Sequence, residues 1–146
     1  MVDLDQLAAE QYCYLTTVGR VTGRPHEIEI WFGMEDPPGG ASRSGRRASD
    51  RVTVYMLSGG RDRSDWVRNL TKTLSVTLRI GGWQFDGLAR RVQPATEEDS
   101  EARRLLLGKY SQSSGDDLSE WGKSALPIAI ELEVAGGRAA PNPRQR

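Results

Sequence analysis

The strongest constraint on the fold of this 146-residue chain is a one-for-one alternation of side chains in three short runs. Ile28, Ile30 and Phe32 alternate with Glu27, Glu29 and Trp31. Val76, Leu78 and Ile80 alternate with Thr77 and Arg79. Ile128, Ile130, Leu132 and Val134 mark the apolar face of a third run. A period of two sends successive side chains to opposite faces, so each run is a strand with one buried face. Gly81-Gly82 joins the second run to Trp83–Val92 as a two-residue hairpin. Hairpin-linked strands pair antiparallel, which argues against a parallel dinucleotide-binding sheet. The absence of a Gly-x-Gly-x-x-Gly motif argues the same way.

The remaining segments extend this pattern. Tyr12–Thr17 and Arg51–Ser58 read as two further strands, giving about six, mainly antiparallel. Asp3–Glu10 suits a short helix with Leu4, Leu7 and Ala8 on one face. Ser64 is a candidate N-cap for a helix carrying Trp66 and Leu70. Thr96 and Asp99 form a capping box for a helix to about Tyr110, with Ala102, Leu105, Leu106 and Tyr110 inward. Trp121 sits in a short turn or helix after a polar loop at Ser111–Asp117. The fold class is therefore α+β: a small closed or split β-barrel with two to four flanking helices. One domain is expected over 1–135, with a mobile loop at 37–50 whose arginines are solvated. A disordered Pro/Gly/Arg-rich tail is expected at 136–146.

Composition narrows the function classes. Lys plus Arg number 20 and Asp plus Glu number 20, so the chain lacks the basic excess of a nucleic-acid binder. No apolar run approaches the ~18 residues of a membrane span, and no signal-peptide pattern is present. A cytoplasmic protein without an integral membrane segment is expected. The single Cys13 lies in an apolar strand and reads as a small core residue. One Cys and one His do not make an ordinary Cys/His metal site, so no metal is expected.

Two blocks carry the chemistry. The first is Tyr14-Leu-Thr-Thr-Val-Gly-Arg-Val-Thr-Gly-Arg-Pro25; the second is Leu57-Ser-Gly-Gly-Arg-Asp-Arg-Ser-Asp-Trp-Val-Arg-Asn-Leu70. Each sets Gly, hydroxyl and Arg residues just after a strand. Small residues let backbone N–H groups approach an anion, and Arg adds a forked cationic donor. Thr16, Thr17 and Arg20 with Gly19 and Gly23 suit a phosphate-binding turn, or equally an ordinary solvated turn at a strand end. Ser58, Gly59 and Gly60 lead into a helix N-terminus, with Arg61, Arg63, Arg68 and Asn69 nearby. Trp66 is either the core anchor of that helix or a stacking platform. His26 is placed either to meet a phosphate or to stay exposed. Glu27 and Glu29 share a strand face and read as a solvated or barrel-mouth pair.

Leu15-Thr-Thr-Val-Gly-Arg-Val-Thr-Gly-Arg-Pro, Ile30-Trp-Phe, Ser58-Gly-Gly, Trp66-Val-Arg-Asn-Leu and Leu126-Pro-Ile-Ala-Ile together resemble the deazaflavin-dependent nitroreductase family. That family belongs to the split β-barrel superfamily that also holds pyridoxamine-phosphate oxidase. The resemblance implies a split barrel binding coenzyme F420 and passing a hydride to an unsaturated, quinone or nitro acceptor. It implies phosphate contacts at Arg20, Thr22, Gly23 and Asn69, with Thr17, Arg24, His26, Trp66 and Arg68 around them. It implies ring contacts at Ile30, Trp31 and Ser58–Gly60, with Arg61 beside them. Trp31 and Tyr110 are the acceptor-side candidates. The chain departs from the family at Val21, where members often carry Lys, and at His26, where a cation is frequent. Arg24, Arg61 and Arg63 are the cations available to compensate. An FMN-binding oxidoreductase on the same barrel, and a non-catalytic binder of cofactor or lipophile, are the alternatives. The expected partner is a small-molecule acceptor, and the superfamily suggests a homodimer.

Overall fold

Each of the three alternating runs forms a strand. The computed structural model describes residues 2–35, 51–111 and 117–140. The strands are β1 (Cys13–Val18), β2 (Pro25–Ile30), β3 (Gly33–Met34), β4 (Arg51–Ser58), β5 (Ser75–Ile80), β6 (Trp83–Arg91), β7 (Leu126–Glu133) and β8 (Arg138–Ala139). The helices are α1 (Leu4–Ala8), α2 (Asp65–Lys72), α3 (Glu97–Tyr110) and α4 (Ser119–Ser124). The strands form one antiparallel sheet in the order β2-β1-β5-β6-β7-β4-β3, with β8 added to β6. The sheet curls into a half-barrel, split between the β2 and β3 edges. Six strands have six or more residues, and β3 and β8 are two-residue additions. The hairpin between β5 and β6 turns on Gly81 and Gly82 at φ 54° and 86°, a region that glycine enters without penalty.

The core has two parts. Leu15, Val54, Met56, Leu78, Ile80, Phe85, Ile128 and Ile130 fill the barrel interior. Tyr55, Leu57, Ala102, Leu106, Tyr110, Ala125 and Ala129 pack between the sheet and its helices. β4 and β7 lie against both, which is why Val52-Thr-Val-Tyr-Met-Leu57 is buried throughout instead of alternating. Cys13 is fully buried in the first cluster, and desolvation pushes its thiol up to about 12. It is a core residue that stays protonated at neutral pH.

Three expectations are corrected by tertiary contacts. The run through Phe32 stops as a strand at Ile30, because the backbone of Phe32 is taken by α3: its N–H donates to the Tyr110 hydroxyl (3.0 Å) and its carbonyl accepts from Lys109 Nζ (3.1 Å). Ser64 stands at the N-cap of α2, but its Oγ bonds Ser58 Oγ (2.8 Å) instead of a helix N–H. Leu105 is half-buried, whereas Ala102, Leu106 and Tyr110 are fully inward. Residues 134–140 form a 3-10 turn and β8, with Arg138 and Ala139 paired to β6. The loop at 37–50 and the end of the tail, 141–146, lie outside the described residues. The cap of α3 is as expected: the Asp99 N–H donates to Thr96 Oγ1 (3.1 Å), and the Asp99 carboxylate accepts from the Ala95 N–H (3.2 Å).

An ion-pair network fastens α3 to the sheet. Arg90 makes a two-pronged pair with Glu98 (2.6 and 2.5 Å) and reaches Glu131 (2.9 Å). The Tyr55 hydroxyl donates to Glu98 (2.9 Å), and Thr53 donates to Glu131 (2.9 Å). Arg90 is the main reason that the Glu98 carboxyl sits below its ordinary value of 4.5. A depressed folded value means that the pair stabilises fully above 4.5 and is lost as pH falls through the folded value. Glu98→Gln should therefore cost about 1 kcal/mol at neutral pH, a figure reduced for partial exposure. Urea midpoints measured down the acid range should fall less steeply for the variant than for the wild type. Parallel acid limbs would show that Glu98 plays no part.

Candidate functional site

The turn after β1 is built by hydrogen bonds within its own loop. The Gly19 N–H donates to the Arg24 carbonyl (2.8 Å), and the Gly23 N–H donates to the Gly19 carbonyl (2.9 Å). Gly23 has φ 72°, which favours glycine. A Cβ on Gly19 would stand 2.7 Å from His26 Nε2 and 2.9 Å from Thr22 Oγ1, so those side chains pack close against the glycine.

Asn69 joins this turn to α2. It is buried, and its Oδ1 accepts from the Arg20 N–H (3.1 Å) and from Arg20 Nη1 (2.9 Å). Its Nδ2 donates to the buried Thr17 Oγ1 (3.2 Å). Arg20 Nη2 pairs with Asp65 in the first turn of α2 (3.0 Å), and Lys72 Nζ donates to the Arg20 carbonyl (2.7 Å). The two blocks thus meet across 49 residues of sequence, with Arg20 and Asn69 on one rim. Beside them lies a recess of about 420 Å³ walled by Arg20, Thr22, His26, Ile28, Trp66 and Asn69. Trp66 packs against the core, as the anchor reading expects, and also lines the recess.

A second recess, about 470 Å³, lies at the other end of β2 and is walled by Tyr12, Ile30, Trp31, Leu57, Leu118 and Trp121. Ile28 borders the first recess and Ile30 the second. Residues two apart on a strand share a face about 7 Å apart, so the two recesses are neighbours along β2. Trp31 is stacked on Tyr110 (centroids 4.3 Å, planes 4° apart) and meets Trp121 edge-on (5.7 Å, 85°). Gly59 faces Trp121 closely: its Cβ would lie 3.6 Å from the indole.

Several expected site residues lie elsewhere. Tyr110 is fully buried behind Trp31 and does not line the second recess. Ser58 is buried with its hydroxyl on Arg61 O and Ser64 Oγ, and Gly60 packs on Ser64. Arg61 turns to the Ser124 carbonyl, and Arg68 Nε turns to the Asp62 carbonyl (3.4 Å). Arg24 and Gly23 shape the turn without walling either recess. Trp121 and Asp65 were not singled out from sequence. An aromatic isolated in the polar stretch before β7 was the available signal for Trp121. A larger hollow of about 590 Å³ shares Thr17 with the first recess. Its rim carries Asp86, Glu131 and Glu133 against Arg51, a charge balance that opposes an anionic ligand.

The sequence matches the family model described as F420H(2)-dependent quinone reductase over residues 4–133. No curated protein matches it by sequence. Solved structures share its fold at low identity. A conserved hypothetical protein, Rv2991, of Mycobacterium tuberculosis superposes with a TM-score of 0.62 at 14% identity, covering 95% of this chain and 84% of that one. A putative pyridoxamine 5'-phosphate oxidase of Listeria innocua gives 0.55 at 17%, covering 95% of each. A protein described as an F420-H2 dependent reductase gives 0.54 at 17%, covering 83% of this chain and 93% of that one. These likenesses establish the split-barrel fold expected from the sequence. The family match runs through nearly the whole described domain, and the chain accordingly belongs to the F420H2-dependent quinone reductases, oxidoreductases that use coenzyme F420.

Proposed function

We propose that this enzyme reduces a flat, conjugated acceptor, a quinone in the first instance, with a hydride from reduced coenzyme F420, and that the two recesses along β2 divide the work. The observation that carries the reading is their juxtaposition: a rim at Ile28 that holds Arg20 and the Asn69 amide, with Glu27 and Asp65 on the same wall, and an aromatic slot at Ile30 on one strand. The donor set suits a phosphate. Arg20 has five N–H donors, and Asn69 and Asp65 engage one each of its two terminal nitrogens, so donors remain for an anion. Thr22 and His26 pack against Gly19 beside it. The second recess suits a planar ring, being walled by Ile30, Trp31 and Trp121.

Reduced F420, when bound, supplies a hydride and a proton, so that a quinone leaves as the quinol and the deazaflavin is left oxidised. The chain's own tasks are binding, orientation and exclusion of water. Asn69 holds the Arg20 guanidinium in place, so little side-chain freedom is lost when an anion arrives. Trp31 and Trp121 stack the acceptor and keep its side of the cleft dry. Nitroaromatics and enones fall within the same reading as flat acceptors. A cytoplasmic setting belongs to the same reading. Among the described residues no helix is long and apolar enough to cross a membrane.

Two titrations test the proposal. The fluorescence of F420 and of FMN is followed on adding protein, and F420 is expected to bind more tightly. Oxidation of reduced F420 is then followed by absorbance with menadione and with a nitrofuran, and turnover above the protein-free rate is expected. Binding without oxidation of either acceptor would leave a cofactor-binding protein and defeat the reductase reading. Preference for FMN would defeat the assignment of the rim to the deazaflavin.

A further inference from the structure

We infer that Tyr110 is a positioning residue that holds Trp31 as the stacking wall of the acceptor recess. This rests on the reading of that recess as the acceptor site. Trp31 sits where the chain has left the β1–β2 ladder and not yet joined β3, so no strand pairing fixes its backbone. The Tyr110 hydroxyl supplies the missing anchor. It accepts from the Phe32 N–H (3.0 Å), and its own proton serves the carbonyls of Gln11 (2.9 Å) and Phe32 (3.0 Å). One buried hydroxyl thus ties the end of α3, the residue after Trp31 and the entry to β1 together. Lys109 Nζ reinforces the tie at the Phe32 carbonyl and lies over the Phe32 ring at 3.6 Å.

The rings complete the arrangement. Tyr110 covers one face of the Trp31 indole in a near-parallel stack, and Trp121 blocks an edge. Trp31 also borders the recess, so its orientation there is set from behind by Tyr110. Burial raises the phenol well above its ordinary range, and its proton is committed to carbonyls. Tyr110 therefore acts through geometry and not as an acid or base. Losing its flat face lets the indole tilt, which weakens stacking of a planar acceptor while leaving the rim at Arg20 untouched.

The test is calorimetric titration of the intact protein with menadione, without F420, alongside a fluorescence titration with F420. Tyr110→Leu is expected to weaken menadione binding about five- to tenfold, the scale of one aromatic stack, and to leave the F420 dissociation constant within about twofold. Tyr110→Phe, which keeps the ring but loses the hydroxyl anchor, is expected to fall between the leucine variant and the wild type. Should the leucine variant fail to fold, Tyr110→Met fills similar volume without a flat face and takes its place. Unchanged menadione binding in a folded variant overturns the inference, as does an equal loss for menadione and F420. Trp31→Ala separates the two ideas. If it leaves menadione binding intact, the recess is not the acceptor site. If it weakens binding while Tyr110→Leu does not, only the positioning role falls.

Discussion

Arg20→Ala weakens binding of coenzyme F420 by about 1.5–3 kcal/mol, the range for losing a charged hydrogen-bonded donor. That corresponds to about a 10- to 150-fold rise in dissociation constant. The structure adds a second half to this expectation. Asp65 already pairs with Arg20 Nη2, and its own side chain is 85% exposed. An arriving anion therefore competes with a carboxylate that is cheaply displaced, since such exposed pairs contribute about 0–1 kcal/mol. Asp65→Asn should accordingly tighten F420 binding about two- to fivefold, opposite in sign to Arg20→Ala. Both effects should shrink as salt is raised, because part of each is long-range attraction. Fluorescence titration of the two variants reads the signs directly. An unchanged constant for Arg20→Ala removes this rim from the site, and a weakened one for Asp65→Asn makes Asp65 a support of Arg20 instead of a competitor. Neither change should unfold the protein, as Asn69 still holds the turn through the backbone N–H of residue 20.

Trp31→Ala is expected to lower kcat/KM for menadione about 10- to 100-fold, through loss of both stacking area and water exclusion. F420 affinity should move by less than about threefold, because the phosphate rim lies at the other recess. The split between the two readouts is the point of the experiment. Trp31 borders the aromatic recess and packs on Tyr110 and Trp121, but it makes no contact with the Arg20–Asn69 rim. Single-turnover oxidation of reduced F420 isolates the acceptor step from cofactor binding. Equal losses in F420 affinity and in turnover would mean that the indole supports the whole barrel mouth. No loss in either would place the acceptor elsewhere.

The parts of this protein legible in its sequence are those written in short-range periodicity. Alternation at Val76–Ile80, the Gly81-Gly82 turn and the Thr96–Asp99 cap depend on residues no more than a few positions apart, and all three formed; the strand at 128–134 formed too, but it ends at Glu133 and is buried on both faces at 128–130. The meeting of Arg20 with Asn69 was also anticipated, but from the coincidence of two anion-cradle motifs and not from any local rule. The break at Ile30 was not legible. Nothing in Ile30-Trp-Phe announces that a tyrosine 78 residues further on will take the Phe32 N–H. Tyr110 likewise carries the same chemistry on an acceptor wall or behind it, and only its stack on Trp31 decides which.

The cations tell the same story. Arg20, Arg24, Arg61 and Arg68 are equivalent on paper, all beside glycines or a helix start. Packing sends Arg61 to the Ser124 carbonyl and Arg68 to the Asp62 carbonyl, leaving Arg20 alone of the four on the wall of the Asn69 recess. A guanidinium's partner depends on which backbone carbonyls or carboxylates the fold brings within about 3 Å, and that is set by long-range pairing of strands and docking of helices. The sequence by itself determined the antiparallel barrel, its turns and the residue types of an anion rim. The tertiary structure alone decided that Arg20 lines the recess beside Asn69, that Asp65 pairs with it, and that Trp31 and Trp121 wall the neighbouring recess. Side-chain direction at such sites follows from contacts between segments far apart in the chain, which no local pattern encodes.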